Sequence, residues 1–505
     1  SQNWFVVGSS LFAASVSSST LMGHSGEGFI SGIAVFNYNV GAIFVIIFVS
    51  LFFLPFYIKS GIYTIPEYLG RRFDNRSRKY FSFITIIGNV FLDAGAALYT
   101  GALILKIIFP EIDMMWIIIG MALMAGTYTI IGGLSSAINA DMIQSIILIA
   151  GSVLLSIFCF NSVGGWENFV EHFHDGVWLN LIRPNSDTTV PWFSIFLSIP
   201  ILGFYFWGNN QVIVQRVMSA KTVNEGRLGF LFVAFLYVFT LFIFIAPGMV
   251  GRMIDLFGVG DTLPNEIIDG NTLRAQYGID TNEVYPRLIL KLLPVGLIGV
   301  MIACMVSALT STLSATLSSV STLFTMDFYK SWRPESSPRH LVRVGQWTSF
   351  IALVVAVLWA PLIGKFASLV AYYQEFSSYL APPIVGTFLV GLFWKGSTRN
   401  GAFAGLMSGL AMSALIMTYK FGFGGVVPFH FLLWVPILLI LSVLVNIIVS
   451  KCDRNKETDV ETYTWNKSVW QDDTRELKTV PWYKNFRYIS IALIIIALLE
   501  YWWFF

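Results

Sequence analysis

Long apolar runs, separated by short polar loops, recur along the whole 505-residue chain. Hydrophobic residues make up 56% of the sequence, charged residues make up 12%, and the mean hydropathy is +0.70. Runs of about 20 apolar residues match a bilayer core, in which only helices and closed barrels satisfy their own backbone hydrogen bonds. The sequence therefore predicts an all-α polytopic membrane protein embedded in a lipid bilayer. Run length predicts about thirteen spanning helices, at 4–24, 29–57, 80–108, 113–132, 138–162, 191–215, 228–252, 287–325, 341–362, 366–394, 401–419, 427–450 and 485–505.

Several functional classes have no support in the composition or the motifs. The net charge is only +2, so there is no basic excess for binding nucleic acid. The three cysteines, Cys159, Cys304 and Cys452, are far apart and lack the spacing of metal ligands. The sequence contains no Walker A, HExxH or GxSxG motif, so neither an ATP-driven pump nor an enzyme is predicted.

Charge alternates from loop to loop. The basic loops carry Arg71, Arg72, Arg76, Arg78, Lys79, Arg216, Lys221, Arg227, Lys330, Arg333, Arg339, Arg343, Lys395 and Arg399. The loops between them carry Glu167, Glu171, Asp175, Asp187, Asp255, Asp261, Glu266, Asp269, Asp280 and Glu283. The positive-inside rule makes the basic loops cytoplasmic in a multi-pass plasma-membrane protein. The C-terminus then lies outside, and the polar stretch at about 451–484 is a cytoplasmic loop.

One apolar helix is rich in hydroxyl groups. Between Ser307 and Thr325 it carries eleven serine and threonine side chains. Ala308, Ser311 and Thr312 follow i, i+3, i+4 spacing, so one carbonyl and two hydroxyls face the same way. Such a neutral oxygen cage suits a small hard cation better than an anion or a soft metal. The alternative is a face of small residues that packs against other helices.

Two predicted spans are interrupted by polar or small residues. The first contains Ser15, Ser17, Ser18, Ser19 and Thr20, and the sixth contains Gly203, Gly208, Asn209 and Asn210. Breaks five helices apart indicate an inverted-repeat transporter whose binding site lies where the helices unwind. We therefore predict a ten-helix transport core at 1–395, with repeats at 1–162 and 191–395, and peripheral helices at 396–505. The alternative is that the two breaks occupy corresponding places by chance, because glycine and serine are common in spanning helices.

Five segments resemble the sodium/solute symporter family, most closely its sodium–glucose cotransporter branch. They are GIYTIPEYLGRRF (61–73), YTIIGGLSSAINADMIQ (128–144), QVIVQRVMSAK (211–221), SVSTLFTMDFY (319–329) and SYLAPPIVGTFLVGLFWK (378–395). The resemblance extends from Ser1 to about Lys395 and more loosely to Phe505. It implies the LeuT-type fold of five plus five inverted helices, usually with one further helix before the first core helix. We expect that helix to precede Ser1 in the natural protein.

The same resemblance implies a set of sodium ligands. The family's main site falls on the backbone oxygens of Ala13, Val16 and Ala308 and on the hydroxyls of Ser311 and Thr312. Two further residues match a sodium exit path or a second sodium site, and they are Asp141 and Ser314. The next second-site position is Ala315, which has no hydroxyl, so one sodium ion per solute is expected. The alternative for Asp141 is a hydrogen-bonded acid at a helix end.

The substrate site resembles a sugar site in plan but not in its charged contacts. The positions implied by the resemblance are Ser15, Thr20, Asn39, Trp207, Tyr237 and Gln374, with gates at Tyr38 and Phe206. Thr20, Asn39 and Tyr237 replace the family's usual Gln or His, Glu and Lys, whereas Gln374 matches a sugar-binding glutamine. Phe206 replaces a common tyrosine, and ordinary bundle packing is the alternative for Phe206 and Trp207.

These residues together predict Na⁺-coupled import of a sugar or related neutral polyol by alternating access. An anionic solute would need an arginine or lysine at the depth of the binding pocket, and none is expected there. A cationic solute would need a carboxylate, and the only one expected nearby is Glu375. The alternatives are the same fold carrying an inositol, a nucleoside or a small carboxylate, or a non-transporting sensor or channel. The oligomeric state is left open by the sequence.

Overall fold

The computed structural model describes residues 2–59, 65–132, 137–425, 427, 429–453, 463–465, 467–478 and 480–504. Within these ranges all the regular elements are helices, and the other pairings are two isolated bridges, Gln2 to Ala220 and Arg183 to Pro191. The all-α fold class predicted from the apolar runs is thereby confirmed.

The described part of the chain up to Phe173 contains ten α-helices. They are α1 (Trp4–Ser15), α2 (Ser18–Ser31), α3 (Phe36–Phe52), α4 (Leu54–Lys59), α5 (Ile65–Arg72), α6 (Asn75–Ile87), α7 (Gly95–Ile108), α8 (Met114–Gly132), α9 (Ala137–Ser162) and α10 (Trp166–Phe173). A π-helical turn, Gly88–Ala94, joins α6 to α7 as one span, Asn75–Ile108.

Fifteen further helices follow in the described ranges. The first eleven are α11 (Trp192–Leu197), α12 (Ile199–Phe204), α13 (Gln211–Met218), α14 (Val223–Tyr237), α15 (Ala246–Met253), α16 (Gly270–Tyr277), α17 (Val284–Leu292), α18 (Val295–Leu323), α19 (Lys330–Trp332), α20 (Pro338–Ile363) and α21 (Leu369–Phe393). The last four are α22 (Arg399–Met417), α23 (Phe431–Cys452), α24 (Lys467–Leu477) and α25 (Phe486–Trp503). The division into two repeats and a peripheral region stays a prediction.

The structure contains somewhat fewer helices that could cross a membrane than the sequence predicts, counted in the described ranges. In the described ranges nine helices are long and apolar enough to cross a membrane, or up to eleven if each of two bent pairs is one span. Two shorter apolar helices, Trp4–Ser15 and Met114–Thr127, lie outside that number. The count of about thirteen therefore stays a prediction.

Two predicted boundaries were wrong. The helix expected at 287–325 is two helices, α17 and α18, because Pro294 has no amide hydrogen to continue the first one and instead precedes the start of the second. The loop expected near 25–28 is helical, since α2 continues to Ser31 and ends at Gly32, whose φ is +68°. Glycine reaches such a left-handed conformation without a steric penalty.

Both predicted breaks are present. The first span stops at Ser15 and restarts at Ser18 after two extended residues, Val16 and Ser17. In the sixth span, α12 passes into a π-helical turn, Tyr205–Asn209, and the extended residue Asn210 separates it from α13. Both interruptions lie within apolar spans, where an irregular backbone is found only in protein interiors or lining cavities.

The second half of the first span is packed unusually close to α15. A Cβ atom added at Gly248 would lie 1.9 Å from the carbonyl oxygen of Ser25. Because glycine has no Cβ atom, it lets the two helices approach each other this closely, and close approach is how membrane helices gain van der Waals contact. The close contact fixes α2 against α15.

Three of the basic segments lie close together. Arg78 pairs with Asp327 at 2.8 Å, and Lys79 donates to Ser331, which joins the start of α6 to the segment after α18. Arg76 donates to Asn400 at the start of α22. The cytoplasmic orientation of these segments stays a prediction.

Candidate functional site

The first break removes the amide donors that two backbone carbonyls would normally have. In a continuous helix, the N–H groups of Ser17 and Thr20 would bind the carbonyls of Ala13 and Val16. Here they join a capping box instead: Ser17 N donates to Thr20 Oγ1 at 3.4 Å, and Thr20 N donates to Ser17 Oγ at 3.2 Å. The two carbonyls that the family resemblance assigns to sodium are those whose usual donors are diverted.

The start of α2 is anchored beside the hydroxyl-rich helix. Ser18, which is fully buried, donates to the carbonyl of Met305 on α18 at 3.1 Å. Ser19 shares a 3.1 Å hydrogen bond with Thr100 on α7. Ala308 follows Met305 by three residues, so the break and the predicted α18 ligands lie within about one helical turn of each other.

The predicted α18 ligands form a compact group of neutral oxygens. Thr312 Oγ1 donates to the Ala308 carbonyl at 2.9 Å, which brings two predicted ligand atoms into contact, and Ser311 is half-buried beside them. Thr310 and Thr322 make the same kind of bond to Val306 and Ser318, so this bond alone does not distinguish the site from ordinary helix packing. Carbonyl and hydroxyl oxygens are hard ligands that fit Na⁺.

Acidic, histidine and cysteine ligands are absent from this group. Across the part of the chain that the structure describes, no cluster of three or more His, Cys, Asp or Glu side chains could hold a metal ion. Of the two second-site residues, Ser314 is buried on α18, and Asp141 belongs to α9 but its side chain lies outside the described residues. Ala315 is exposed.

A hydrogen-bonded chain connects three of the predicted substrate positions. His24 Nδ1 lies 3.0 Å from the carbonyl of Thr20, and its Nε2 lies 3.0 Å from Asn39 Oδ1. Asn39 donates to Thr240 Oγ1 at 2.7 Å, and Thr240 in turn donates to the Tyr237 carbonyl at 2.6 Å. His24, which links the first and second spans, was missed by the sequence analysis because a single histidine has no spacing pattern.

The predicted aromatic positions form a second group. Trp207 is buried and lies edge-on to Phe206 at 5.2 Å and to Tyr237 at 5.4 Å between ring centroids. Tyr237 also contacts Phe12 on α1 at 6.0 Å. Phe206 is half-buried, whereas Trp207 has almost no free surface, so Phe206 offers the accessible ring. The structure thus brings Trp207, Phe206 and Tyr237 together.

The remaining predicted positions differ in accessibility. Ser15 is buried and donates to the Phe12 carbonyl at 2.9 Å, whereas Tyr38 and Gln374 are half-buried. Glu375, which follows Gln374 on α21, binds Lys420 and accepts a hydrogen bond from Tyr379 at 3.2 Å. Its charge is therefore compensated by Lys420, and it is not free to bind a cationic solute.

A carboxylate overlooked by the sequence analysis lies at mid-span. Asp93 belongs to the π-helical turn Gly88–Ala94 and is half-buried. It lies near Tyr205 of the sixth span and Tyr373 of α21. The expectation that Glu375 is the only acid near the pocket is therefore wrong, because the fold brings Asp93 there from a span with no other acid.

The end of α2 and the start of α21 are joined. Glu27, which is buried, accepts a hydrogen bond from Ser368, the N-cap residue of α21. This bond holds the start of α21 against the first span. The amide of Leu369 donates to Asn282 Oδ1 at 2.9 Å, which holds α21 to the short segment before α17.

Broken helices beside a hydroxyl-rich helix, inside a membrane-spanning bundle, define an ion-coupled transporter with the LeuT-type fold. Comparisons with known proteins agree: a model of the Sodium:solute symporter family matches residues 1–409. Sodium/glucose cotransporter 1 of Oryctolagus cuniculus is 31% identical over 483 residues, covering 88% of this chain and 72% of that protein. The chain belongs to the sodium:solute symporter family, and sodium-coupled symport is its activity.

Two further comparisons refine this assignment. Sodium/myo-inositol cotransporter 2 of Mus musculus is 32% identical over 437 residues, covering 83% of this chain and 64% of that protein. A solved outward-open structure of a Na⁺-coupled sialic acid symporter has a TM-score of 0.71 at 23% identity, covering 90% of this chain and 91% of that one. The structural likeness supports the fold, whereas the choice of solute depends on this chain's own residues.

Proposed function

We propose that this protein imports a sugar or related neutral polyol together with one Na⁺ ion by alternating access. The observation that carries the proposal is the chain from Thr20 through His24, Asn39 and Thr240 to Tyr237, which offers hydrogen-bond donors and acceptors without a fixed charge. Such groups suit hydroxyls, and the Phe206 ring suits the apolar face of a sugar ring. Relatives named for glucose and myo-inositol support the same class.

In this proposal sodium binds between the first break and α18, through Ala13, Val16, Ala308, Ser311 and Thr312. The capping box presents the first two carbonyls, and the Ser18 bond to Met305 couples their position to α18. Bound sodium stabilises the arrangement in which α2 and α18 are held together. Loss of sodium towards the cytoplasm loosens that arrangement and releases the solute.

The outer gate in this proposal is the start of α21. The bond between Ser368 and Glu27 closes α21 over the first span, with Tyr38 and Phe206 as aromatic gates on either side of the solute. Opening to the outside requires this bond to break. The basic end of the bundle, including the contact of Arg78 with Asp327, is the cytoplasmic end, and the protein resides in the plasma membrane as a transporter and not an enzyme.

The energy available to one sodium ion is sufficient for accumulation. A tenfold Na⁺ gradient supplies about 1.4 kcal/mol, and a potential of 100 mV supplies about 2.3 kcal/mol per charge. The sum supports a concentration ratio of roughly 500 for one solute per sodium ion.

Uptake of a labelled panel into proteoliposomes, with and without an inward Na⁺ gradient, tests this function. We expect a neutral hexose or polyol to be taken up, and sialic acid, proline and pantothenate to be excluded. Replacing Gln374 by alanine should abolish solute uptake while sodium still raises the thermal stability of the protein. Gln346→Ala, an exposed glutamine on α20, is the matched control and should transport normally.

Two results would overturn the proposal. A carboxylate as the best substrate would contradict the neutral class, and normal transport by Gln374→Ala would remove the proposed sugar contact. A sodium current without solute flux would favour the alternative of a channel on the same fold.

A further inference from the structure

Asp93 occupies an unusual place for an acid. It lies near the middle of the span Asn75–Ile108, inside the π-helical turn that joins α6 to α7. π-helical turns are frequent at functional sites, and an ionisable side chain at membrane depth normally has a partner or a function. Asp93 therefore requires an explanation that packing does not supply.

The surroundings of Asp93 are aromatic hydroxyls, not bases. The tyrosines that lie near Asp93 are Tyr205, Tyr372 and Tyr373. The Tyr372 hydroxyl is already committed, because it donates to the Phe91 carbonyl at 2.7 Å and accepts from Trp359 Nε1 at 2.8 Å. Tyr205 and Tyr373 thus remain as its polar neighbours.

Asp93 also faces accessible space inside the bundle. Its side chain is half-buried although protein surrounds this part of the span, and the neighbouring Tyr205, Tyr373 and Gln374 are half-buried as well. In the part of the chain that the structure describes, no lysine, arginine or histidine pairs with Asp93. The hydroxyl of Tyr372 fixes α21 to the Asp93 turn, and Tyr373, the next residue of α21, lies near Asp93 and directly precedes the proposed sugar contact Gln374.

We propose that Asp93 is a substrate-binding residue whose carboxylate accepts hydrogen bonds from two neighbouring hydroxyls of a neutral polyol. This inference rests on the proposed function and assigns it a contact that neither the sequence motifs nor the named relatives assign. A carboxylate has two acceptor oxygens and no donor, which matches a vicinal diol and repels a carboxylate solute. Hydrogen bonds to a charged acceptor are also stronger than those to an amide.

The charge balance at mid-span selects the neutral class. One Na⁺ ion and one ionised Asp93 cancel, so a neutral solute leaves this depth of the bundle without net charge. An anionic solute would leave one negative charge there and a cationic solute one positive charge, and either costs free energy in hydrocarbon. Glu27 is counted separately, because it lies near the end of α2, away from the break at which sodium is placed, and there accepts a hydrogen bond from Ser368.

Asp93→Asn in full-length protein, reconstituted into proteoliposomes, tests the assignment. With the best neutral substrate of the panel, we expect KM to rise at least about tenfold, as for the loss of a hydrogen bond to a charged group. The sodium concentration for half-maximal uptake should rise less than KM does, because Asp93 offsets the charge of the sodium ion without being one of its ligands. Asp113→Asn, an exposed acid at the start of α8, is the control and should match the wild type in both constants.

Deoxy analogues give a readout that a structural role would not produce. In the wild type, removing one hydroxyl of the recognised diol should weaken competition at least about tenfold, whereas in Asp93→Asn the same removal should have little effect. The assignment would be overturned if removing the hydroxyl weakened competition equally in the wild type and in Asp93→Asn, or if KM were unchanged in Asp93→Asn. Neither result would contradict polyol transport itself.

Other outcomes also decide between explanations. An amino sugar that competes better than its neutral parent in the wild type, and loses that advantage in Asp93→Asn, would replace the neutral class by a cationic one. Failure of Asp93→Asn to fold, judged by loss of sodium-induced thermal stabilisation, would contradict a binding role, because a carboxylate that only binds solute has no structural partner to lose. If the wild type transports no neutral polyol at all, the proposed function itself fails.

Discussion

At the scale of single residues, the sodium site depends on hydroxyls that replace water around the ion. Ser311→Ala and Thr312→Ala each remove one proposed ligand, so we expect each to raise the sodium concentration for half-maximal uptake several-fold. Thr312→Ala also removes the 2.9 Å bond to the Ala308 carbonyl and should have the larger effect. Sodium titration of uptake in proteoliposomes measures both variants.

Ser318→Ala is the matched control for these variants. It removes a half-buried hydroxyl from the same helix, farther along α18 from the break. Its sodium dependence should equal that of the wild type. Identical sodium dependence in all three variants would mean that the hydroxyls serve helix packing, the alternative that the small-residue face of α18 leaves open.

At the scale of elements, the break in the first span depends on its capping box. Ser17→Ala removes the oxygen that accepts from Thr20 N, and that amide is then free to bind the Val16 carbonyl as in a continuous helix. We expect a several-fold higher sodium requirement together with a loss of about 1 kcal/mol in stability. Sodium-dependent uptake and thermal unfolding of the same preparation measure the two effects.

Ser337→Ala separates the loss of a cap from the loss of a sodium site. Ser337 caps α20 by accepting from His340 N, so its removal should cost a similar amount of stability. Its sodium requirement should not change. If both serine variants shift the sodium requirement equally, general destabilisation and not the break explains the effect.

At the scale of the whole molecule, the peripheral C-terminal region is attached to the core by a buried ion pair. Arg227 at the start of α14 binds Asp473 on α24 at 2.8 Å, and it also donates to the Ser50 carbonyl at 3.0 Å. Asp473→Asn leaves the arginine charge buried without a counter-charge, which we expect to cost about 3–5 kcal/mol. Thermal or denaturant unfolding in detergent measures the loss.

The neighbouring acid on the same helix provides the control. Asp472 is more than half exposed and lies 3.8 Å from Arg475, so Asp472→Asn should change stability by less than about 1 kcal/mol. Equal effects of the two substitutions would show that α24 is not held to the core by the buried pair.

The coupling ratio is also a property of the whole carrier. Because Ala315 supplies no hydroxyl beside Ser314, we expect one sodium ion per solute and a Hill coefficient near one for sodium. Reversal potentials of substrate-induced currents in reconstituted protein measure the ratio, and two charges per solute would contradict it. With a single sodium ion, Asp141→Asn should slow sodium release without abolishing sodium binding.

Much of the fold could be predicted because it depends on local properties. Apolar run length predicts the spans, and glycine, serine and asparagine at membrane depth predict both breaks. The i, i+3, i+4 spacing of Ala308, Ser311 and Thr312 already predicts a common face. Boundaries were less certain, since α2 continues through 25–28 to Ser31 and Pro294 divides the eighth helix.

Other features required the tertiary structure. The sequence predicts a break near Ser17, but only the capping box shows that the diverted donors are those of the Ala13 and Val16 carbonyls. The sequence alone gave no reason to place His24 beside Asn39, nor Asp93 beside Tyr205 and Tyr373. Helix formation follows from neighbours in the chain, whereas a binding site depends on side chains from distant spans that become neighbours only when the helices pack.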